Sequence, residues 1–308
     1  MLSLSARAPK IMPPAFPVQA GPLTAERLTS GHEGEVLAFL AARPIHTVIM
    51  AGLIRDNGLE SQLNRGVFYA CRNAMGRIEG IALIGHITMI ETSNDSALQY
   101  FVELAQNNQQ AHVVIGEVEK VERFWELYAP SGQAMRLTCR ELLFEQRGPV
   151  LVHESIDLRK ATLDDIDQIM PVHAQMAFEE GGINPMEKDP VGFSERVAYR
   201  IKKGRVWTFK DQGQLVCKAD VVSDTPEQMY LEGVYVSPQY RGQGFGARLI
   251  SQLSRTLLAH TKSLSVLVNQ QNRAAQLFYQ KAGYKLRGYY DTIYLAQNEW
   301  PKDNGQVH

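Results

Sequence analysis

A glycine-rich turn carries the clearest chemical information in this chain. Residues 241–247 read Arg-Gly-Gln-Gly-Phe-Gly-Ala and lie between a strand-like run and a helix-like run. Glycines let successive backbone N–H groups point into one concavity, and the N-terminus of a helix adds partial positive charge there. The turn therefore predicts a site for a pyrophosphate group that needs no metal.

Two other phosphate-binding patterns do not fit this turn. A dinucleotide site has the spacing G-x-G-x-x-G and an acidic residue about twenty positions later. Here the spacing is G-x-G-x-G, and residues 247–270 contain no Asp or Glu. A Walker-type loop requires Gly followed by Lys, and no lysine in this chain follows a glycine. Both nucleotide folds are therefore excluded.

The residues around the turn resemble the GNAT superfamily of acetyl-CoA-dependent N-acetyltransferases. The resemblance rests on Val-x-Val-x-Pro-x-x-Arg-Gly-x-Gly-x-Gly over residues 234–246 and on Asn-x-x-Ala-x-x-Phe-Tyr-x-Lys-x-Gly-Tyr over residues 272–284. It extends over about residues 158–295, and residues 179–185 and 204–205 look like a bacterial subgroup with two domains. In that subgroup the first domain resembles a degenerate GNAT fold.

The resemblance implies a fold class and a division of the chain. We expect an α/β (α+β) protein whose C-terminal GNAT fold has a mixed, centrally splayed β-sheet flanked by helices. Residues 66–144 have a similar element order without the glycine turn, so an N-terminal α/β domain of degenerate GNAT type is expected too. Breaks at proline and glycine predict a flexible Pro-rich tail at 1–22, an N-terminal domain at 23–150 and a catalytic domain at 151–308.

Hydrophobic periodicity predicts the individual elements. Residues 31–42 predict a short helix that stops before a proline, and residues 66–72 and 80–89 predict an antiparallel pair of strands. In the second half, residues 229–236 and 264–268 predict strands on either side of a helix that follows the glycine turn.

The resemblance also implies how a CoA thioester is bound. The backbone of residues 241–247 holds the pyrophosphate, the strand end at 234–236 binds the pantetheine arm, and a V-shaped gap beside the strand at Leu264 admits the thioester. The alternative is a tight loop without a ligand. The implied coenzyme-binding residues are Val234, Tyr235, Val236, Arg241, Gly242, Gln243, Gly244, Phe245, Gly246, Ala247, Asn269 and Asn272.

Acyl transfer to an amine needs a group that accepts the proton of an ammonium, whose pKa is about 10.4. Glu232 is the best placed carboxylate, because it lies on the same strand face as Val234; the alternative is a salt-bridged surface Glu. Tyr279 matches the family's tyrosine that protonates the CoA sulfur, and its alternative role is a packed core aromatic. Asn272 is expected to cap its helix and to reach the coenzyme, and a backbone N–H near Gly233 is expected to stabilise the oxyanion.

Glu179 and Glu180 precede two glycines and are the candidates for binding the acceptor. Carboxylates there can attract a cationic amine, although a solvated helix end explains them equally well. The expected acceptor is a small-molecule amine or a protein amino group.

These observations together predict an N-acetyltransferase that moves an acetyl group from acetyl-CoA to a primary amine by direct attack in a ternary complex. A catalytically silent CoA-binding regulatory module is the alternative, and it does not require Glu232 and Tyr279 to line one cleft. A longer acyl donor would need an apolar tunnel beside the sulfur. The N-terminal half either completes the acceptor pocket or mediates formation of a homodimer.

Composition limits the partners and the compartment. The chain has 308 residues with 32 basic and 33 acidic side chains, so no global field favours nucleic acid or an anionic membrane. Cys71, Cys139 and Cys217 lie far apart, which predicts reduced thiols in a cytoplasmic protein. No apolar run is long enough to span a bilayer, and no histidine spacing suggests a metal site. We therefore expect no metal and no membrane partner.

Overall fold

The computed structural model describes residues 23–108 and 110–296, so the predicted tail at 1–22 lies outside the described residues. The helices are α1 (Glu33–Leu40), α2 (Pro44–Asn57), α3 (Asp95–Gln106), α4 (Val118–Tyr128), α5 (Ile166–Gly181), α6 (Pro185–Lys188), α7 (Pro190–Lys202), α8 (Phe245–Leu258) and α9 (Arg273–Lys281). The strands are β1 (Thr24–Arg27), β2 (Gly66–Arg72), β3 (Ile78–Gly85), β4 (Ile87–Thr92), β5 (Val113–Glu117), β6 (Met135–Gln146), β7 (Arg159–Lys160), β8 (Val206–Asp211), β9 (Gln214–Asp224), β10 (Met229–Val236), β11 (Leu264–Asn269) and β12 (Lys285–Leu295).

These strands form one mixed sheet in the order β1-β2-β3-β4-β5-β12-β6-β11-β10-β9-β8-β7. The β4–β5 and β10–β11 pairs are parallel, and the other pairs are antiparallel. Helices α3 and α4 pack on the strands of the first half, and α8 packs on β9, β10 and β11. The predicted mixed α/β fold with a helix-flanked sheet is confirmed.

The last strand of each half crosses to the other half. β6 pairs with β11, and β12 pairs with both β5 and β6. Phe144 of β6 is consequently buried in the core of the second half, and Ile293 of β12 in that of the first. Burying a side chain of this size stabilises the fold by about 1.5–3 kcal/mol, so this exchange joins the halves firmly. The division at residue 150 stays a prediction.

Local sequence sets the ends of the helices that form the site. Gly244 precedes α8 with a φ of 84°, a left-handed conformation that favours glycine. The side chain of Asn272 accepts a hydrogen bond of 3.0 Å from the backbone N–H of Ala275, so the predicted cap of α9 is confirmed. Gly283, with a φ of 90°, follows the end of α9 as the sequence predicts.

Two elements differ from the sequence prediction. Helix α2 was not predicted, because proline was taken as a stop, whereas Pro44 stands at the first position of this helix, where it needs no N–H partner. The run at 80–89 is not one strand, since the chain turns between Gly85 and Ile87. A Cβ at Gly85 would lie 2.2 Å from the backbone oxygen of Arg65, so the turn requires glycine there. The apolar pattern continues through this turn and conceals it.

Candidate active site

The parallel strands β10 and β11 separate soon after they meet. They pair only at Met229 with Leu264 and at Tyr230 with Ser265. Farther along β10, the register with β9 shifts around Gly233, whose φ is 59°, and this bulge turns the strand away. A cavity of about 450 Å³ lies in the opening. This is the place where the sequence predicts a V-shaped gap.

The cavity brings together predicted residues from four elements. The predicted residues that line it are Glu179, Glu180, Glu232, Val234, Asn269, Asn272 and Tyr279. Other predicted residues are not part of its lining, and these are Tyr235, Val236, Arg241, Gly242, Gln243, Gly244, Phe245, Gly246 and Ala247. Residues that were not predicted also line it, including Cys139, Glu141, Met176, Tyr230 and Tyr294.

The glycine turn follows β10 at the end of the diverging strand. Gly242 and Gly244 have φ angles of 74° and 84°, and a Cβ built on either would have no atom within 4 Å. Gly246 differs, because its Cβ would lie 3.2 Å from the ring of Phe278, so glycine allows close packing of α8 on α9. The Nε of Arg241 donates to the backbone oxygen of Val236 at 3.0 Å and closes the turn.

Tyr279 belongs both to the core and to the cavity wall. Its ring stacks on Phe144 at 6.5 Å between centroids and meets Tyr284 edge-on at 5.2 Å. The side chain is buried, and burial raises its pKa well above the ordinary value. No described residue hydrogen-bonds its hydroxyl. The phenol therefore stays protonated and keeps a free O–H at the cavity.

Two asparagines hold the β11–α9 connection in place. Asn269 Oδ1 accepts from the backbone N–H of Gln271 at 2.8 Å, while Asn272 caps α9. Gln276 reaches back from α9 and donates to the backbone oxygen of Asn269 at 3.2 Å. These bonds fix the wall of the cavity opposite β10.

The carboxylates of the cavity influence one another. The Glu180 side chain is exposed to water on one side and surrounded by protein atoms on the others. This partial burial raises the pKa of Glu180 to about 8, and the charges of Glu232 and Glu141 add to the effect. Burial also raises the pKa of Glu141, against the effect of a 2.6 Å hydrogen bond from the hydroxyl of Thr292. At neutral pH this group of side chains shares fewer negative charges than its composition suggests.

Strand exchange explains which site residues the sequence analysis missed. Cys139 and Glu141 lie on β6, in the N-terminal half of the chain, and Tyr294 lies on β12. Glu141 stands opposite Asn269 in the β6–β11 register, which places both on one face of the sheet. No local motif marks these positions. Period-two alternation along β6 would have identified its inward face, but not the neighbour that it faces.

A buried ionic cluster lies beneath the β10 bulge. The Nζ of Lys218 lies 2.9 Å from both carboxylate oxygens of Asp220, and a Cβ on Gly233 would be 2.8 Å from that Nζ. The Nε2 of His173 lies 3.2 Å from Asp220 without alignment for a hydrogen bond, and burial lowers the pKa of His173 to about 4. Lys218, Asp220 and His173 were not predicted to have a role in the site.

The first half repeats the divergence of parallel strands without the glycine turn. β4 and β5 also pair at only two positions, and Arg43 lies between them, 2.8 Å from Glu91 and 2.7 Å from Glu117. Helix α3 begins directly after Asn94, whose side chain caps it. The ion-paired residues Arg43, Glu91 and Lys120 line a separate cavity of about 610 Å³ in this half.

Within residues 23–108 and 110–296, no cluster of three or more His, Cys, Asp or Glu side chains has an arrangement that could hold a metal ion. In the same residues, no helix combines the length and the apolar character that crossing a bilayer requires.

Comparison with known proteins agrees with this geometry. Residues 202–286 match the family described as acetyltransferase (GNAT) domain. The 5-NmdU N-acetyltransferase of Pseudomonas phage PaMx11 is 27% identical over 136 residues, which are 43% of this chain and 89% of that protein.

Solved structures share the fold across both halves. A Drosophila protein has a TM-score of 0.68 at 13% identity, over 89% of this chain and 99% of its own. A tandem GNAT protein from the clavulanic acid biosynthesis pathway has a TM-score of 0.56 at 13% identity, over 90% of this chain and 100% of its own. The fold is thus that of the solved GNAT proteins, and residues 202–286 match the acetyltransferase domain of the GNAT family.

Proposed function

We propose that this protein transfers an acetyl group from acetyl-CoA to a primary amine by direct attack in a ternary complex. The observation that carries the proposal is the divergence of β10 and β11 next to the glycine turn, within a domain of the GNAT family. The phage relative is named as an N-acetyltransferase, which supports the same reaction class.

The glycine turn fits a pyrophosphate. The backbone at Gly242 and Gly244 faces open space that a Cβ would enter, and the first N–H groups of α8 lack partners within the helix. Together with the partial positive charge of the helix N-terminus, they form an anion site. The bound thioester supplies an activated acyl group, and the cavity between β10 and β11 has room for it.

Glu232 is the proposed proton acceptor for the amine. It lines the cavity and has no ion-pair partner among the described residues, so the alternative role as a salt-bridged surface Glu lacks support. Two protons leave the nitrogen during the full reaction, as its bond to the acyl carbon forms and the C–S bond breaks. Glu232 takes the first proton, directly or through water, and passes it to solvent.

Tyr279 is the proposed proton donor to the leaving sulfur. Its raised pKa keeps the phenol protonated, and its hydroxyl has no competing partner among the described residues. The second proton from the nitrogen restores the phenol. Gly233 and Val234 have no partners in the register with β9, so their N–H groups are the proposed donors to the developing oxyanion.

Calorimetric titration with acetyl-CoA, together with an assay of thiol release on adding amines, tests the proposal in three proteins. The wild-type protein should bind and turn over, Gly244→Glu should lose binding because a carboxylate enters the anion site, and Tyr279→Phe should bind normally but release thiol slowly. Absence of acetyl-CoA binding to the wild-type protein would refute the function. Binding with no thiol release for any amine would support the silent module instead.

A further inference from the structure

The charged side chains that line the cavity are all carboxylates. They are Glu141, Glu179, Glu180 and Glu232, and no Lys, Arg or His side chain is among the described lining residues. None of the four forms an ion pair within the described part of the chain. Elsewhere in the described chain, about half of the carboxylates are paired; Glu91 and Glu117, for example, share Arg43 and Lys120.

These carboxylates are close enough to affect one another. Glu232 raises the pKa of both Glu141 and Glu180, which come from β6 and α5. Like charges that face one cavity destabilise the ionised state unless a counterion is present. The basic and acidic residues of the chain nearly balance, yet this cavity has side chains of one sign of charge and no counterion among residues 23–108 and 110–296.

A tyrosine hydroxyl in the same cavity also lacks a partner. Tyr230 is 9% exposed and lines the cavity, and no described residue hydrogen-bonds its hydroxyl. Its pKa is raised by burial and then by Glu232, Glu141 and Glu180, so the phenol lies among these carboxylates. Its hydroxyl opens to the cavity, where it is available to form a hydrogen bond with a bound polar group. This feature is independent of the charges and indicates a polar ligand at the same place.

We infer that the acceptor is a small dication, an amine with at least one further protonated nitrogen. This inference rests on the proposed acetyl transfer. The reacting nitrogen must be neutral when it attacks, so a monoamine would leave the carboxylates without a counterion at that moment. A second ammonium stays charged throughout and pairs with Glu180 and Glu141, while the Tyr230 oxygen accepts a hydrogen bond from it. An acceptor that carries a carboxylate or a phosphate would be repelled.

Titration calorimetry with three matched probes tests the inference. The probes are 1,4-diaminobutane, n-butylamine and 4-aminobutyrate, added to the full-length protein in the presence of CoA. The diamine should bind about tenfold more tightly than the monoamine, the effect of one partly buried ion pair. Glu180→Gln and Glu141→Gln should each reduce this preference. Glu126→Gln, which changes an exposed carboxylate on α4, is the control and should leave it unchanged.

Thiol release measured with the same proteins separates the two proposals. Diamine preference with acetylation supports both. Diamine preference that depends on Glu180, without any acetylation, supports the ligand class and refutes the activity. Acetylation with equal preference for the monoamine, or with preference for 4-aminobutyrate, refutes the dication while the activity stands. If none of the three probes binds to the CoA-bound protein, the dication is refuted as well.

Discussion

Lys218 and Asp220 form an ion pair buried directly beneath the bulge of β10. The Lys218 side chain is fully buried, Asp220 is 2% exposed, and both Nζ–O distances are 2.9 Å. Because the ammonium lies against Gly233, this pair supports the backbone that carries the proposed oxyanion donors. The bulge is therefore supported from below by charge rather than by an apolar side chain.

Removing one partner of this pair should be far more costly than removing both. Lys218→Met should lower the free energy of unfolding by about 3–5 kcal/mol, because it leaves Asp220 buried with His173 and a distant Arg200. Adding Asp220→Asn should recover part of that loss. Urea denaturation measures both. Breaking the exposed Arg123–Glu126 pair should cost far less, because water screens it, and an equal cost at the two sites would contradict this prediction.

Alanine at Gly244 should separate strain from coenzyme binding. Gly244 and Gly213 have φ angles of 84° and 78°, and neither has an atom near a built Cβ. Each alanine should therefore cost about 1–2 kcal/mol of stability. Only Gly244→Ala should also weaken acetyl-CoA binding, measured by calorimetry, because Gly213 lies in the β8–β9 turn. Equal affinities of the two variants would argue against an anion site at the glycine turn.

Two buried tyrosines allow a matched test of the proton donor. Tyr279→Phe should lower kcat by about 10²–10⁴-fold with little change in stability, because its hydroxyl has no partner to lose. Tyr284→Phe should leave kcat unchanged but lower the stability by about 1 kcal/mol, because that hydroxyl lies 3.2 Å from the Ser254 hydroxyl. Steady-state kinetics and thermal unfolding measure the two effects. A fall in kcat for both variants would indicate a packing role for Tyr279.

The two asparagine caps distinguish coenzyme contact from helix stability. Asn272→Ala and Asn94→Ala each remove a cap, at α9 and α3, and each should cost about 1 kcal/mol. Asn272→Ala alone should weaken acetyl-CoA binding. Asn272→Ser keeps a capping oxygen and should restore stability without restoring affinity. If serine restores both properties, Asn272 acts only as a cap.

Glu180 should make the protein less stable as the pH rises. Its pKa in the folded protein is about 8, above the ordinary value of about 4.3, so the folded state binds more protons between these values. The free energy of unfolding should therefore fall as the pH rises through this window. The fall should be small, because water around Glu180 screens its charge. His173, with its lowered pKa of about 4, acts in the opposite direction below about pH 6.5.

The difference between wild type and Glu180→Gln isolates this effect. The variant should gain in melting temperature relative to wild type as the pH rises from 5 to 8, because it carries no charge to bury. Glu126→Gln is the control for an exposed carboxylate. A constant difference across this pH range would contradict a raised pKa at Glu180.

Much of the second half could be predicted from sequence because its signals are local. The turn at 241–247 needs glycines for its positive φ angles, and the cap at Asn272 depends on a hydrogen bond three residues away. The apolar stripe of α8 and the strand at 229–236 follow from short periodicities. Helix α2 was missed because a proline can follow the end of one helix or stand at the first position of the next. Only the packing of the residues after the proline distinguishes these two arrangements.

By itself, the sequence determined the resemblance to the family, the position of the glycine turn and the choice of Glu232 and Tyr279 as candidates, since each depends on residues close together in the chain. Only the tertiary structure decided what faces them. Pairing of β6 with β11 brings Glu141 opposite Asn269, and pairing of β9 with the bulged strand β10 buries Lys218 and Asp220 next to Gly233. Strand order depends on the burial of whole sheet faces, which involves residues far apart in the chain. No short sequence pattern therefore predicts it.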